Sequence, residues 1–184
     1  MFIQTESTPN PATLKFLPGQ TVMEKGTANF TAVEEAGDSP LALNLFATEG
    51  VTGVFLGADF VSITKIDDRD WDIMKPLILG AIMEHFQSGR PAVTGTAEAS
   101  DSPGDADDDG VVRQIKELID TRVRPAVAQD GGDIVYHGFE DGVVFLRMQG
   151  ACAGCPSSTA TLKHGIENML RYYVPEVQEV RAVE

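Results

Sequence analysis

The spacing of apolar and polar positions predicts six elements in the first half of the chain. Four short β-prone runs are bounded by turn-forming residues: Phe2–Thr5, Thr13–Leu17, Gly53–Leu56 and Phe60–Thr64. A helix is expected after Ser39, an N-cap residue that is followed by Pro40 at the first helical position. A second helix follows Asp70, because apolar residues from Trp71 to Phe86 recur at spacings of three and four. The predicted order is ββαββα.

The second half of the chain predicts the order αββαβ. Its first helix carries an apolar stripe from Val111 to Val123 and ends at Gly131. The other elements are expected at Asp133–Phe139, Val143–Met148, Pro156–Tyr173 and Val177–Val183. An Asp-Gly pair at positions 141 and 142 joins the two middle strands, and this pair is a strong hairpin signal because the tight turn requires positive φ. The fold class expected for the chain is α+β, with two small domains of mixed helices and strands.

The stretch between the two halves predicts a flexible acidic linker. Residues 89–108 contain no Leu, Ile, Met or aromatic residue, and one basic residue among five acidic ones gives them a net charge of −4. Such a sequence buries too little apolar area to offset the entropy lost on ordering. We therefore expect domains at residues 1–88 and 110–184, joined by a linker at residues 89–109.

Composition and charge exclude several classes of protein. The 184 residues include 14 Lys and Arg against 28 Asp and Glu, a formal net charge of −14, which disfavours nucleic acid as a partner. No uninterrupted apolar run approaches the roughly 18 residues that a membrane span needs, so no membrane partner is expected. The two cysteines lie three positions apart, which excludes the disulfide framework of a small secreted domain.

The cysteine pair is the candidate for chemistry. Cys152 and Cys155 lie in a predicted loop that leaves a strand and enters a helix, and Gly150 and Gly154 let this loop fold tightly. Pro156 suits the first helical turn, which puts the second cysteine at or beside the N-cap. Free backbone N–H groups and the helix dipole favour a thiolate there and lower the thiol pKa from about 8.5. Thiolate is the form that binds metal.

The cysteine pair is compatible with two other kinds of protein. A thiol–disulfide oxidoreductase also places its cysteines at a helix N-terminus, but a hairpin precedes this pair where a βαβ unit would be expected. A zinc-binding interaction module needs about four ligands, and beyond the cysteines the chain offers only His85, His137 and His164. His85 is expected to have a satisfied structural role, and the other two are expected to be surface or core residues.

An iron–sulfur cluster takes four thiolates, of which one chain supplies two. The simplest completion is a second copy of the chain across a two-fold axis, so that four cysteines hold one [4Fe–4S] cluster. A cluster at such a seam is accessible to the thiolates of another protein, which suits delivery better than electron transfer. Stepwise thiolate exchange needs no acid–base residue, so the protein is not expected to be an enzyme.

Four segments resemble a known family. Gln129–Ile134 and Gly150–Lys163 resemble the C-terminal NifU-like domain of Nfu-type iron–sulfur proteins, and Gln4–Pro11 and Leu14–Gly19 resemble the Nfu N-terminal domain. The resemblance implies a scaffold or carrier that holds a labile [4Fe–4S] cluster between two chains and passes it to apo-proteins. It also implies upstream cluster donors, and an N-terminal domain that recognises targets or partners.

Applied to this sequence, the resemblance makes Cys152 and Cys155 the cluster ligands and predicts a homodimer when the cluster is bound. Relatives of this kind occur in bacteria and in mitochondria. The start of the sequence, MFIQTESTPNP, has neither a basic and apolar signal pattern nor an Arg-rich amphipathic stretch. The expected location is therefore the bacterial cytoplasm, with a processed mitochondrial form as the alternative.

Overall fold

The computed structural model describes residues 1–95, 109–154 and 156–183, and the chain divides into two compact units between residues 100 and 101. The strands are β1 (Gln4–Ser7), β2 (Thr13–Leu17), β3 (Ala28–Phe30), β4 (Val51–Leu56), β5 (Val61–Lys65), β6 (Gly132–Glu140), β7 (Val143–Gly150) and β8 (Glu179–Val183). The helices are α1 (Pro40–Phe46), α2 (Trp71–Gln87), α3 (Gly110–Leu118), α4 (Arg124–Gln129) and α5 (Pro156–Tyr173).

The first unit is a five-stranded sheet with two helices. All its strand pairs are antiparallel, in the order β1-β2-β5-β4-β3. Its core is formed by buried apolar side chains of the sheet and of both helices, among them Phe16, Leu56, Ile63, Leu41, Leu45, Met74, Ile78 and Ile82. Burial of these side chains is the main term that stabilises the unit.

The predicted start of α1 is confirmed. The Ser39 hydroxyl accepts a hydrogen bond from the Ala42 N–H at 3.0 Å, as an N-cap residue does, and Pro40 occupies the first helical position. The same hydroxyl donates to the Ala92 carbonyl at 2.6 Å. One side chain therefore caps the helix and holds a segment more than fifty residues away in sequence.

This contact corrects the predicted start of the linker. Ala92 is buried in the first core, and the Thr94 N–H donates to the Asp38 carbonyl at 2.7 Å, so residues 89–95 are held on the first unit. A segment without large apolar side chains is ordered here because its backbone groups find partners. The rest of the predicted linker, residues 96–108, lies outside the described residues.

Two elements of the first unit were not predicted. Strand β3 pairs with β4 at the edge of the sheet, and a 3₁₀ helix covers Val33–Asp38. The strand is only three residues long and has an Asn at its centre, so it shows neither a β-prone run nor a clear alternation. The observed order is therefore βββαββα, where ββαββα was predicted.

The second unit has a three-stranded sheet in the order β6-β7-β8. The predicted hairpin between β6 and β7 is confirmed, with Asp141 at a φ of 50° and Gly142 at a φ of 80°. Strand β8 begins two residues later than predicted and runs parallel to β7. Parallel neighbours need a long crossover, and α5 provides it.

The first helical segment of this unit contains a π-helical turn, Ile119–Val123, between α3 and α4. Pro125 follows this turn and is the second residue of α4. Proline has no N–H to donate to the carbonyl four residues earlier, and the Arg124 N–H bonds the Ile119 carbonyl, five residues back. Pro125 therefore does not end the helix, because the wider π-helical turn before it accommodates the missing N–H.

The α+β class is confirmed in both units. Among the residues that the structure describes, no helix combines the length and the apolar character that crossing a bilayer demands.

Candidate metal centre

The predicted cysteine loop connects β7, which ends at Gly150, to α5, which begins at Pro156. Gly150 and Gly154 have φ values of 62° and 80°, in the left-handed region that favours glycine. The tight loop inferred from the two glycines is thus confirmed. Cys155, the second predicted ligand, lies outside the described residues, so its role as a ligand remains a prediction.

Hydrogen bonds fix the first part of this loop against its neighbours. The Cys152 N–H donates to the Gln149 carbonyl at 3.3 Å, and the Ala151 N–H donates to the Gly131 carbonyl at 3.2 Å. The Thr159 hydroxyl, from the first turn of α5, donates to the Cys152 carbonyl at 3.0 Å. Cys152 is therefore tied to the end of β7 and to the start of α5, and the residue before it is tied to the start of β6.

The Cys152 side chain is buried in the apolar core of the second unit. Its sulfur lies directly against Gly132: a Cβ atom at that position would be 2.5 Å from Cys152 Sγ, 2.8 Å from the Gln149 carbonyl oxygen and 2.9 Å from the Cys152 nitrogen. Real Cβ atoms do not approach other atoms so closely. The sulfur thus fills a recess that exists only because residue 132 is glycine.

Burial raises the pKa of the Cys152 thiol to about 12, and the carboxylates of Asp130 and Asp133 add to the shift. A thiol in an apolar recess near negative charge resists ionisation. In the metal-free chain Cys152 is therefore held as a thiol. The thiolate expected at the helix N-terminus concerns Cys155, which lies outside the described residues, so that expectation stays a prediction. A thiol at this site has to lose its proton when a metal binds.

We expect Cys152 to react slowly with alkylating reagents in the folded, metal-free protein. In a Cys155→Ser variant at pH 8, iodoacetamide should modify Cys152 at least about a hundredfold more slowly before than after unfolding in urea, because the folded thiol is buried and protonated. Mass spectrometry of timed samples measures both rates. Equal rates in the two states would contradict the buried position of the sulfur.

A largely buried ion pair holds the start of β6, the strand whose first residue, Gly132, lies against Cys152. Arg124 of α4 donates from Nε and Nη2 to the two carboxylate oxygens of Asp133 in β6, each at 2.9 Å. Asp133 Oδ1 also accepts from the Ile134 N–H at 2.8 Å. The pKa of Arg124 is raised, chiefly by its hydrogen bonds to Asp133. This pair joins α4 to the strand that begins with Gly132.

Breaking that pair should destabilise the second unit. An Arg124→Met variant leaves the Asp133 carboxylate buried without its partner, and we expect a loss of about 3 kcal/mol in the free energy of unfolding. The double variant Arg124→Met, Asp133→Asn should regain part of this loss. Urea unfolding followed by circular dichroism measures both values. A single variant as stable as the unchanged protein would show that the pair contributes nothing.

The three histidines considered as zinc ligands have different environments. His137 and His164 are exposed on β6 and α5, and His85 is buried in α2 of the first unit. Burial lowers the pKa of His85, and its Nε2 has no hydrogen-bond partner among the described residues, so the predicted satisfied role is wrong in that respect. Across residues 1–95, 109–154 and 156–183, no group of three or more His, Cys, Asp or Glu side chains is placed to hold a metal ion.

Sequence reasoning named both cysteines but missed the residues that position Cys152. Gly132 and Asp133 belong to the segment Gln129–Ile134 that carries the resemblance, but the sequence assigned them no role, and Arg124 carries no pattern of its own. Gln149 was missed as well; it is buried beside the loop, and its Oε1 has no partner within the described part of the chain. Only the spatial approach of β6 to the loop reveals these roles.

Comparison with known families identifies the class of protein to which the two units and the cysteine loop belong. Residues 3–89 match the model of the scaffold protein Nfu/NifU N terminal, and residues 115–181 match the model of the NifU-like domain. The chain belongs to the Nfu/NifU family.

Particular relatives of the chain are similar over almost all of its length. "NifU-like protein 4, mitochondrial" of Arabidopsis thaliana is 55% identical over 98% of this chain and 65% of its own length. "NFU1 iron-sulfur cluster scaffold homolog, mitochondrial" of Homo sapiens is 52% identical over 100% of this chain and 72% of its own length. A solution NMR structure of a NifU-like protein from Saccharomyces cerevisiae is 29% identical, with a TM-score of 0.45 over 51% of this chain and 85% of that one.

These relatives correct the predicted location. The expectation of a bacterial cytoplasmic protein is wrong, since the relatives from Arabidopsis thaliana and Homo sapiens, and one from Drosophila sechellia, are named mitochondrial. The chain spans 65% of the Arabidopsis relative and 72% of the human one. The first residues of this sequence therefore do not decide where the protein is located.

Proposed function

We propose that this protein carries a labile [4Fe–4S] cluster between two copies of the chain and delivers it to apo-proteins. Cys152 and Cys155 of each copy supply the four thiolates that one cluster needs. The homodimer forms when the cluster binds, because neither chain alone has enough ligands. Upstream donors supply the cluster, and apo iron–sulfur proteins receive it.

The observation that carries this proposal is the position of Cys152 in the β7–α5 loop. The loop is shaped by glycines with positive φ, and the helix that follows it begins directly after Cys155. The relative from Homo sapiens is named an iron–sulfur cluster scaffold homolog, which supports the same role here. A cargo held by only two side chains of each copy is well suited to release.

Transfer proceeds by thiolate exchange at iron. A target cysteinate forms a new bond to iron as the bond to one carrier cysteine breaks, and the displaced sulfur takes up a proton. No electron is transferred, and no acid–base side chain is required, so the protein acts without catalysing a reaction. In the metal-free chain the Cys152 thiol lies in its recess against Gly132, shielded from solvent.

The experiment that tests this function is a metal and sulfide analysis of protein purified without air. A cluster carrier should contain iron and acid-labile sulfide in equal amounts, with about two chains per cluster after anaerobic reconstitution. Colourless protein with stoichiometric zinc would show a zinc-binding module instead. Metal-free protein that reduces a model disulfide with turnover from a dithiol would show a thiol–disulfide oxidoreductase.

A further inference from the structure

Helix α2 is more apolar than its position on the surface of the first unit explains. Its 17 residues include only three formal charges, Asp72, Lys75 and Glu84, and apolar residues occupy every side of the helix. A helix of this composition is normally buried all round. One side of α2 does enter the core, through residues that include Met74 and Ile78, which are no more than 1% exposed.

The opposite side of α2 is open. Ile73 and Leu77 expose 64% and 57% of their surface, the largest values for aliphatic residues within helices of the described chain. Residues 73, 77, 80 and 84 follow one another at helical spacing and form a single stripe roughly 17 Å long. A Cβ at Gly80 would meet nothing within 4 Å, so a neighbouring backbone can approach the helix closely there.

Exposed acidic residues lie at both ends of this stripe: Asp67, Asp68, Asp70 and Asp72 around the start of α2, and Glu84 near its end. The basic residues of the same stretch are half-buried; Arg69 is paired with Glu49, and Lys65 lies over the Trp71 ring. Residues 1–88 as a whole carry 5 basic and 12 acidic side chains, a net charge of −7. An apolar centre with a polar rim is the usual anatomy of a protein interface, and the sign of this rim selects a cationic partner.

The same charges argue against a second copy of this chain as the occupant. Docking α2 on its own symmetry mate would bring the two acidic rims together, and like charges across an interface are unfavourable. A partner whose flanking residues are Lys or Arg meets the rim with opposite charge. The occupant that the surface fits is therefore a different protein.

We propose that the exposed stripe of α2, formed by Ile73, Leu77, Gly80 and Glu84, is a docking surface for a basic amphipathic helix of a partner protein. Two apolar residues of that helix, spaced by four, cover Ile73 and Leu77. Its backbone approaches α2 most closely at Gly80, and its Lys or Arg residues face Asp72 and Glu84. This surface lies in the first unit and needs no cluster, so partner binding at α2 can be tested separately from cluster binding by the second unit.

The test uses the full chain and a fluorescein-labelled helical peptide of Ala, Leu and Arg. The peptide is roughly 18 residues long, enough to cover the stripe, with two Leu residues spaced by four and Arg at its flanks. Fluorescence anisotropy measures its affinity, and a matched peptide carries Glu in place of Arg. We expect the Arg peptide to bind, more weakly as salt is raised, and the Glu peptide to bind at least about tenfold more weakly.

Variants of the chain locate the site. Leu77→Asp should weaken the Arg peptide at least about tenfold, and Glu84→Gln should weaken it several-fold. Val33→Asp is the matched control, because Val33 is 47% exposed in the same unit but lies outside α2, and it should leave the affinity unchanged. Trp71 fluorescence checks that each variant is folded.

Three results would overturn the proposal. Leu77→Asp could bind the Arg peptide as tightly as the unchanged chain, or the Glu peptide could bind as tightly as the Arg peptide. Alternatively, sedimentation could reveal self-association of the metal-free chain that Leu77→Asp abolishes, which would assign the stripe to a second copy.

Discussion

Replacing either cysteine, in the variants Cys152→Ser and Cys155→Ser, should abolish the visible absorption that the unchanged protein gains on anaerobic reconstitution with iron and sulfide. In the proposed carrier, each substitution removes one of two ligands per chain, and a cluster shared by two chains would keep only two of its four thiolates. Iron bound per chain should fall at least about tenfold. Absorption spectra and iron analysis of the same samples measure the loss.

Folding controls separate loss of a ligand from loss of structure. Cys152 is part of the apolar core, so its serine variant buries a hydroxyl group, whereas Cys152→Ala leaves a small cavity and no polar atom. Both variants should fail to bind the cluster while their circular dichroism matches that of the unchanged chain. Full colour in all three cysteine variants would refute the ligand assignment.

The second large effect is expected for Gly132→Ala. Its methyl group would meet the Cys152 sulfur at 2.5 Å and backbone atoms of the loop at 2.8 Å and 2.9 Å, so the loop must shift or the strand must bend. We expect the second unit to lose about 3 kcal/mol of stability, and cluster assembly to fall with it. Urea unfolding followed by far-ultraviolet circular dichroism measures the loss.

The chain contains its own controls for this variant. Gly138 lies in the same strand, and a Cβ there would meet nothing within 4 Å, so Gly138→Ala should be neutral or stabilising by about 0.5 kcal/mol. The single tryptophan, Trp71, lies in the first unit and should report an unchanged transition in both variants. A Gly132→Ala protein as stable as Gly138→Ala would contradict the tight contact at the sulfur.

Local sequence signals predicted the parts of the fold that local interactions determine. Ser39 and Pro40 marked the start of α1 because capping depends on neighbouring residues. The Asp-Gly pair marked the β6–β7 hairpin because its backbone conformation is nearly specific to those residues. The loop before Pro156 was predicted for the same reason, since its glycines determine the turn.

The remaining features depend on contacts between distant residues. The edge strand Ala28–Phe30 forms because β4 offers free backbone groups, and residues 89–95 are ordered because Ser39 and Asp38 bind their backbone. Neither contact can be predicted from the composition of Ala28–Phe30 or of residues 89–95. The helix after Asp70 was predicted from its sequence, but only the fold shows that one apolar side of it is uncovered.

The electrostatic environment of Cys152 could not be predicted from the sequence either. The lowered thiol pKa expected from the sequence concerns Cys155 at the start of α5. The pKa of Cys152 is raised by burial and by the nearby carboxylates of Asp130 and Asp133. Burial depends on how β6 passes the loop, and the two carboxylates come from Asp133 in β6 and from Asp130 at the end of α4. The sequence therefore identified the candidate ligand without its protonation state.

The proposed role depends most directly on the stoichiometry of the loaded protein. Native mass spectrometry under anaerobic conditions, after reconstitution, should give two chains carrying one [4Fe–4S] cluster, and removal of the iron by a chelator should abolish this species. A cluster bound to a single chain, or reconstituted protein that binds no iron and sulfide at all, would contradict the account.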